Sequence, residues 1–113
     1  MAKVEIAKSL YEEILGRFKG ESVKILRHLK SLESSPMKGK ALANIGGIII
    51  KELKYKGFRF YFLADGYKIK ILSETELVNL LFRFVRMSDK KHQEQTIKEI
   101  RELLIKIGPE GFE

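Results

Sequence analysis

Residues 48–66 read Ile48-Ile49-Ile50-Lys51-Glu52-Leu53-Lys54-Tyr55-Lys56-Gly57-Phe58-Arg59-Phe60-Tyr61-Phe62-Leu63-Ala64-Asp65-Gly66. The β-branched opening is strand-forming. Lys56-Gly57 between Tyr55 and Phe58 marks one hairpin; Asp65-Gly66 between Ala64 and Tyr67 marks a second, Asp-Gly being a strong tight-turn signal. The expectation is an antiparallel meander of three strands, roughly 48–55, 58–64 and 67–72. Side chains alternate across a strand, so two-residue loops fix the pairing. Tyr55 then faces Phe58, Lys54 lies beside Arg59, Leu53 beside Phe60 and Glu52 beside Tyr61. In the second hairpin Phe62 pairs with Ile69 and Phe60 with Ile71. One sheet face is therefore apolar and packs on helices, while the other gathers Glu52, Lys54, Arg59, Tyr61, Lys68 and Lys70, with Leu63.

The flanks of this stretch are helical. On the N-terminal side Lys3-Val4-Glu5-Ile6 alternates like a short strand. Ala7, Leu10, Tyr11, Ile14, Leu15 and Phe18 then recur at spacings of three and four, one helix stripe closed by Lys19-Gly20. A second helix runs from Ser22 to about Leu32 with Val23, Ile25, Leu26, Leu29 and Leu32 inward. Ser34-Ser35-Pro36 breaks it, and Lys38-Gly39-Lys40 continues as a basic loop. Gly46-Gly47 lacks the surroundings of a phosphate-binding loop and is assigned to a tight turn. On the C-terminal side, 74–80 begins a short helix after Ser73. The stretch from Leu81 to Met87 fits helix or strand, and its alternating Phe82 and Phe84 favour strand. A last helix opens near Ser88-Asp89, places Ile97, Ile100, Leu104 and Ile107 in one stripe, and stops at Gly108-Pro109. The expected fold is α+β: two N-terminal helices packed on an antiparallel meander sheet, with a C-terminal helix.

Composition bounds the function. With 113 residues, 44% of them hydrophobic, the chain supports one core and one domain over residues 1–113. No apolar run is long enough to span a membrane, and charges within the first apolar stretch argue against a signal peptide. Cysteine is absent, which removes disulfides and thiolate chemistry and fits a reducing, cytoplasmic compartment. His28 and His92 are the only histidines and neither has a second ligand at metal spacing, so no metal and no cofactor are expected. The net charge of +7 favours a polyanionic partner. The Lys54–Arg59 cross-strand pair sharpens that reading, because like charges placed opposite one another cost stability unless an anion sits between them. An ordinary solvated face of an antiparallel sheet is the alternative.

The stretch Lys51-Glu52-Leu53-Lys54-Tyr55-Lys56-Gly57-Phe58-Arg59-Phe60-Tyr61-Phe62 resembles the central strand pair of the RelE/ParE toxin superfamily, in its HigB-like form. Asp65-Gly66 with Lys68-Ile69-Lys70-Ile71-Leu72 is similar to the family's next hairpin. Asp89-Lys90-Lys91-His92-Gln93, with Thr96 and Ile97-Lys98-Glu99-Ile100, resembles the basic segment that opens its last helix. The resemblance implies a toxin-like component of a toxin–antitoxin pair, working as a metal-independent, ribosome-associated messenger-RNA endoribonuclease. The alternative within the same family is a non-catalytic module that binds an antitoxin or inhibits DNA gyrase. The implied partners are an acidic antitoxin protein and RNA on the ribosome, with no membrane and no small-molecule cofactor. Arg59 matches the family's phosphate-holding arginine, Lys54 the neighbouring lysine, and Lys90 or Lys91 the basic position after the last strand. Tyr61 and Lys70 join them as candidate phosphate contacts. Three departures stand out. No tyrosine is present in the final helix, where RelE itself uses one. Glu52 takes the place of a catalytic lysine, which makes it a candidate general base with His92 as acid, and the segment from Ser73 to Leu80 is an insertion.

Overall fold

The computed structural model describes residues 2–66 and 80–112. Its elements are β1 (Lys3–Ile6), α1 (Lys8–Phe18), α2 (Ser22–Lys30), β2 (Lys40–Ile45), β3 (Ile48–Tyr55), β4 (Phe58–Asp65), β5 (Leu81–Asp89) and α3 (Gln93–Ile107). The strands form one sheet in the order β1-β5-β4-β3-β2. The fold is α+β, but the sheet is mixed, not purely antiparallel: β1 runs parallel to β5. That pairing is continued by backbone bonds from Lys3 N–H to the Leu80 carbonyl and from Ala7 N–H to the Phe84 carbonyl, each 2.8 Å.

The strands expected at 48–55 and 58–64 are present as β3 and β4, paired antiparallel as expected, but their outer neighbours are β2 and β5. The β3–β4 register is the one read from the first turn: Tyr55 faces Phe58, Lys54 faces Arg59, Leu53 faces Phe60 and Glu52 faces Tyr61. Upstream, Lys40, the last residue of the expected basic loop, instead opens an edge strand, Lys40–Ile45, hairpinned to β3 through Gly46 and Gly47. Those two residues take φ of 57° and 90°, which suit glycine and the tight turn expected there. On the other side of β4 the neighbour is β5, so Phe60 faces Met87 and Phe62 faces Phe84. The expected strand 67–72, Lys68 and Lys70 within it, and the short helix expected from 74 lie outside the described residues.

A bulge in β5 accounts for the mixed signal of that segment. Tyr61 pairs with Arg86 and Phe62 with Phe84, which leaves Val85 as the extra residue. Phe82, Phe84 and Met87 consequently share one face although their spacing is not a strict two. That face meets Leu10 and Ile14 of α1 and Ile25 and Leu29 of α2, together with Leu53, Phe60 and Phe62. The helix stripes are narrower than expected. Tyr11, Leu15 and Val23 stay substantially exposed, as does Ile107 on α3. The left-handed turn after α1 falls on Lys19 (φ 46°), where Gly20 was expected to supply it.

The second face is not open. Ile50, Tyr61, Leu63 and the bulged Val85 make an apolar strip on it, and Ile100 and Leu104 of α3 with Phe112 cover that strip. Four apolar side chains in a row cannot be left to water without losing roughly 1.5–3 kcal/mol each, so the C-terminal helix lies on this side. Gly39 (φ 95°) shows how tightly the loop before β2 seals the first face: an added Cβ would lie 2.9 Å from the Phe62 ring and 3.0 Å from the Glu52 carbonyl. Among the described residues no helix is long and apolar enough to cross a membrane.

Candidate active site at the open end of the sheet

α3 packs on the apolar strip of Ile50, Tyr61, Leu63 and Val85, and the same face continues beyond it toward the β3–β4 turn. The side chains there are Lys54 on β3, Arg59 on β4 and Ser88 on β5, aligned by the cross-strand pairs Lys54–Arg59 and Arg59–Ser88. One residue pair further in are Glu52 and Tyr61. The turn from β5 into α3 adds Lys90 and Lys91, both exposed, then His92 and Gln93.

Arg59 sets the electrostatics. It is only 9% exposed, yet no carboxylate pairs with it and no hydrogen bond to it is present among the described residues. Its Nε is sealed from solvent and unpaired. The two terminal nitrogens are not among the sealed, unpaired atoms of the described residues. Buried arginines are normally neutralised, since a buried unpaired donor costs about 1–3 kcal/mol and more when charged. Lys54 across the strand is exposed and adds a second cation. Its backbone is anchored from α2, where His28 Nε2 donates to the Lys54 carbonyl at 2.9 Å. A carbonyl accepts only, so His28 carries its proton on Nε2.

The polar groups near Arg59 form two hydrogen-bonded pairs, Tyr61–Ser88 and Glu52–Gln93. Tyr61 is fully buried and its hydroxyl lies 2.7 Å from Ser88 Oγ. Burial pushes the Tyr61 phenol up; the Ser88 hydrogen bond and the nearby Arg59 charge oppose that, and Glu52 reinforces it. Tyr61 is thus an internal neighbour of Arg59 and Glu52 and not the surface contact its strand position suggested. Glu52 is 3% exposed, and its Oε2 accepts from Gln93 Nε2 at 3.3 Å.

His92 belongs to a third pair at the same end. Its Nδ1 and its backbone N–H both donate to Asp89 Oδ1, each at 2.8 Å. These bonds, the side-chain one first, hold the Asp89 carboxyl below the usual carboxylate range, with a smaller contribution from Arg17. With Nδ1 committed, Nε2 is the free ring nitrogen.

The structure therefore brings Glu52, Lys54, Arg59 and Tyr61 together and sets Lys90, Lys91 and His92 on the adjoining turn, while Lys70 lies outside the described residues. Sequence reasoning missed Ser88, Asp89 and Gln93 as partners. Asp89 three residues before His92 was a usable signal, since Asp ahead of a helix accepts from backbone and side chains of the first turn. Reasoning from sequence also missed Lys51, which is 6% exposed beneath the helical layer with its Nζ 5.7 Å from the Phe62 ring centre. Burial lowers the pKa of its ammonium.

Two other features are remote from this chemistry. A cavity of about 350 Å³ opens at the opposite end of β4, lined by Ile48, Leu63, Asp65, Leu81 and Arg83 among others. Its arginine is already held by Glu5 at 3.0 Å and by the Phe112 carbonyl. Among the described residues no cluster of three or more His, Asp or Glu side chains is arranged to hold a metal ion. Comparison with protein-family models, with curated proteins and with solved structures gives no match to this chain.

Proposed function

We propose that the chain is a RelE-like toxin component, with the RelE-like order of two N-terminal helices, meander and final helix, and that it cleaves messenger RNA on the ribosome without a metal. The observation that carries this reading is Arg59: a nearly buried guanidinium that makes no ion pair or hydrogen bond among the described residues, across the strand from exposed Lys54 and at the same end of the sheet as Lys90 and Lys91. A fold that tolerates such a costly cation gains from it when an anion is bound, and a phosphodiester is the anion suited to a guanidinium flanked by lysines.

Cleavage then proceeds by attack of a ribose 2′-oxygen on the adjacent phosphorus. The bond to the 2′-oxygen forms as the bond to the 5′-oxygen breaks, giving a cyclic phosphate and a free 5′-hydroxyl. Glu52 takes the 2′ proton, His92 Nε2 supplies a proton to the leaving 5′-oxygen, and Arg59 with Lys54 balances the charge on the pentacovalent phosphorus. Proton transfers of this type contribute roughly 10²–10⁴-fold each. A similar factor comes from charge stabilisation of the transition state.

Expression of the wild-type chain is expected to arrest growth and cut messages on ribosomes, while Arg59→Ala keeps its circular dichroism spectrum and loses cleavage. An Arg59→Ala protein that cuts RNA at the wild-type rate refutes the assignment. The burial of Glu52 and Tyr61 under the start of α3 favours one competing reading: a non-catalytic module that engages an acidic antitoxin or another protein through Lys54, Lys90 and Lys91. Growth arrest without RNA cleavage selects that alternative.

A further inference from the structure

Glu52 is nearly buried, and the hydrogen bond from Gln93 is the one its carboxylate makes among the described residues. That bond engages Oε2 alone. Glu52 Oε1 is not among the sealed, unpaired side-chain atoms of the described residues, which are Arg59 Nε and Arg83 Nε. Gln93 is the first residue of α3, and the residue before it is fixed twice over by Asp89. The amide therefore reaches Glu52 from a helix end that is itself anchored to β5, across a sequence separation of 41 residues.

We propose that Gln93 is the positioning residue of this site: its side-chain amide pins one carboxylate oxygen of Glu52 and turns the other toward the opening beside Arg59. The charged and titratable groups around that carboxylate are Lys40 across on β2, Tyr61 across on β4, Arg59 diagonally on β4, and Lys54 two residues along β3. None of them donates to it. An unpinned Glu52 is free to swing toward any of these cations, and a displacement of about 1 Å costs an acid–base group as much as a hundredfold in rate. This inference rests on the reading of Glu52 as the general base.

The test has two parts, one of them independent of activity. In 1H–15N spectra of the full chain, the Gln93 side-chain NH2 resonances are expected to shift on Glu52→Ala and to stay put on Glu99→Ala. Resonances that ignore Glu52→Ala overturn the contact itself. In ribosome-programmed cleavage of a defined message, Gln93→Leu is expected to lower kcat about tenfold with KM unchanged within twofold, whereas Lys54→Ala raises KM. Gln93→Lys, which restores a donor, is expected to recover most of the lost kcat. Equal kcat in wild-type and Gln93→Leu proteins overturns the positioning role. A wild-type chain that cuts no message, with the Gln93 resonances coupled to Glu52 as expected, refutes the nuclease reading and the positioning role with it, and leaves the contact established.

Discussion

Replacing Arg59 by methionine is expected to stabilise the protein while abolishing its anion site. Arg59 is 9% exposed, has no carboxylate partner among the described residues and seals its Nε away unpaired. Methionine keeps most of the aliphatic stem and removes the buried charge, so the variant recovers the penalty of an unmade hydrogen bond, about 1–3 kcal/mol, less some lost packing. A net gain of about 1.5 kcal/mol is a reasonable centre for that range. For 113 residues, an unfolding entropy of roughly 2.1 cal/mol/K per residue gives about 0.24 kcal/mol/K, so Tm should rise by about 6 °C. Inorganic phosphate supplies the complementary arm. An anion held with a Kd of about 10 mM stabilises the wild type by about 1.4 kcal/mol at roughly 100 mM, and Arg59→Met should show none of that gain. The assay is thermal unfolding of both proteins with and without phosphate, at constant ionic strength made up with chloride. A Tm for Arg59→Met several degrees below wild type would mean that the guanidinium holds the fold together, and the reasoning would fail.

Lys51 gives a pH-dependent counterpart. Burial lowers its folded-state pKa below the unfolded value near 10.5, so the penalty is full below the folded value and is relieved as pH rises toward 10.5. Lys51→Met should therefore gain about 1 kcal/mol at neutral pH, an advantage that shrinks on denaturant titration through the alkaline window. Asp89 has the opposite sign: its folded pKa is depressed by His92, so its contribution is present above the unfolded value of 3.8 and is lost as pH falls through the folded one. The Tm difference between wild type and Asp89→Asn should accordingly close in acid, and a difference that persists at pH 2 would contradict the pairing. Gly39→Ala forces a side chain into left-handed backbone and against Phe62, and should destabilise by about 2–3 kcal/mol in urea.

The β3–β4 register was legible because a two-residue loop leaves one way to pair Tyr55 with Phe58, and the alternation does the rest. The helices were legible from their apolar spacing, though Tyr11 and Val23 show that periodicity overstates the width of a buried stripe. The neighbour of β4 was not legible. Asp65-Gly66 carries the local chemistry of a hairpin, whereas β5 wins that edge by matching Phe84 and Met87 to Phe62 and Phe60 over a long sequence separation. The cover on the second face was readable in part: Leu63 and Ile50 sit in register with the charged residues and already required an apolar partner. For the site, the Lys54–Arg59 pair was read from the turn, while the Gln93–Glu52 and Tyr61–Ser88 contacts depend on how α3 and β5 dock and leave no local trace.

The most direct test of the account observes the Arg59 guanidinium while RNA binds. A short RNA carrying a 2′-deoxy sugar at the scissile position blocks the attacking oxygen and keeps every phosphate. Titrated into 15N-labelled protein, it is expected to move the Arg59 Nη–H resonances downfield and slow their exchange with water, as the terminal nitrogens, which are not among the sealed, unpaired atoms, gain a phosphate oxygen. If Lys54, Lys90 and Lys91 respond while the Arg59 resonances stay where they are, the charge in the sheet holds no phosphate and the account is wrong.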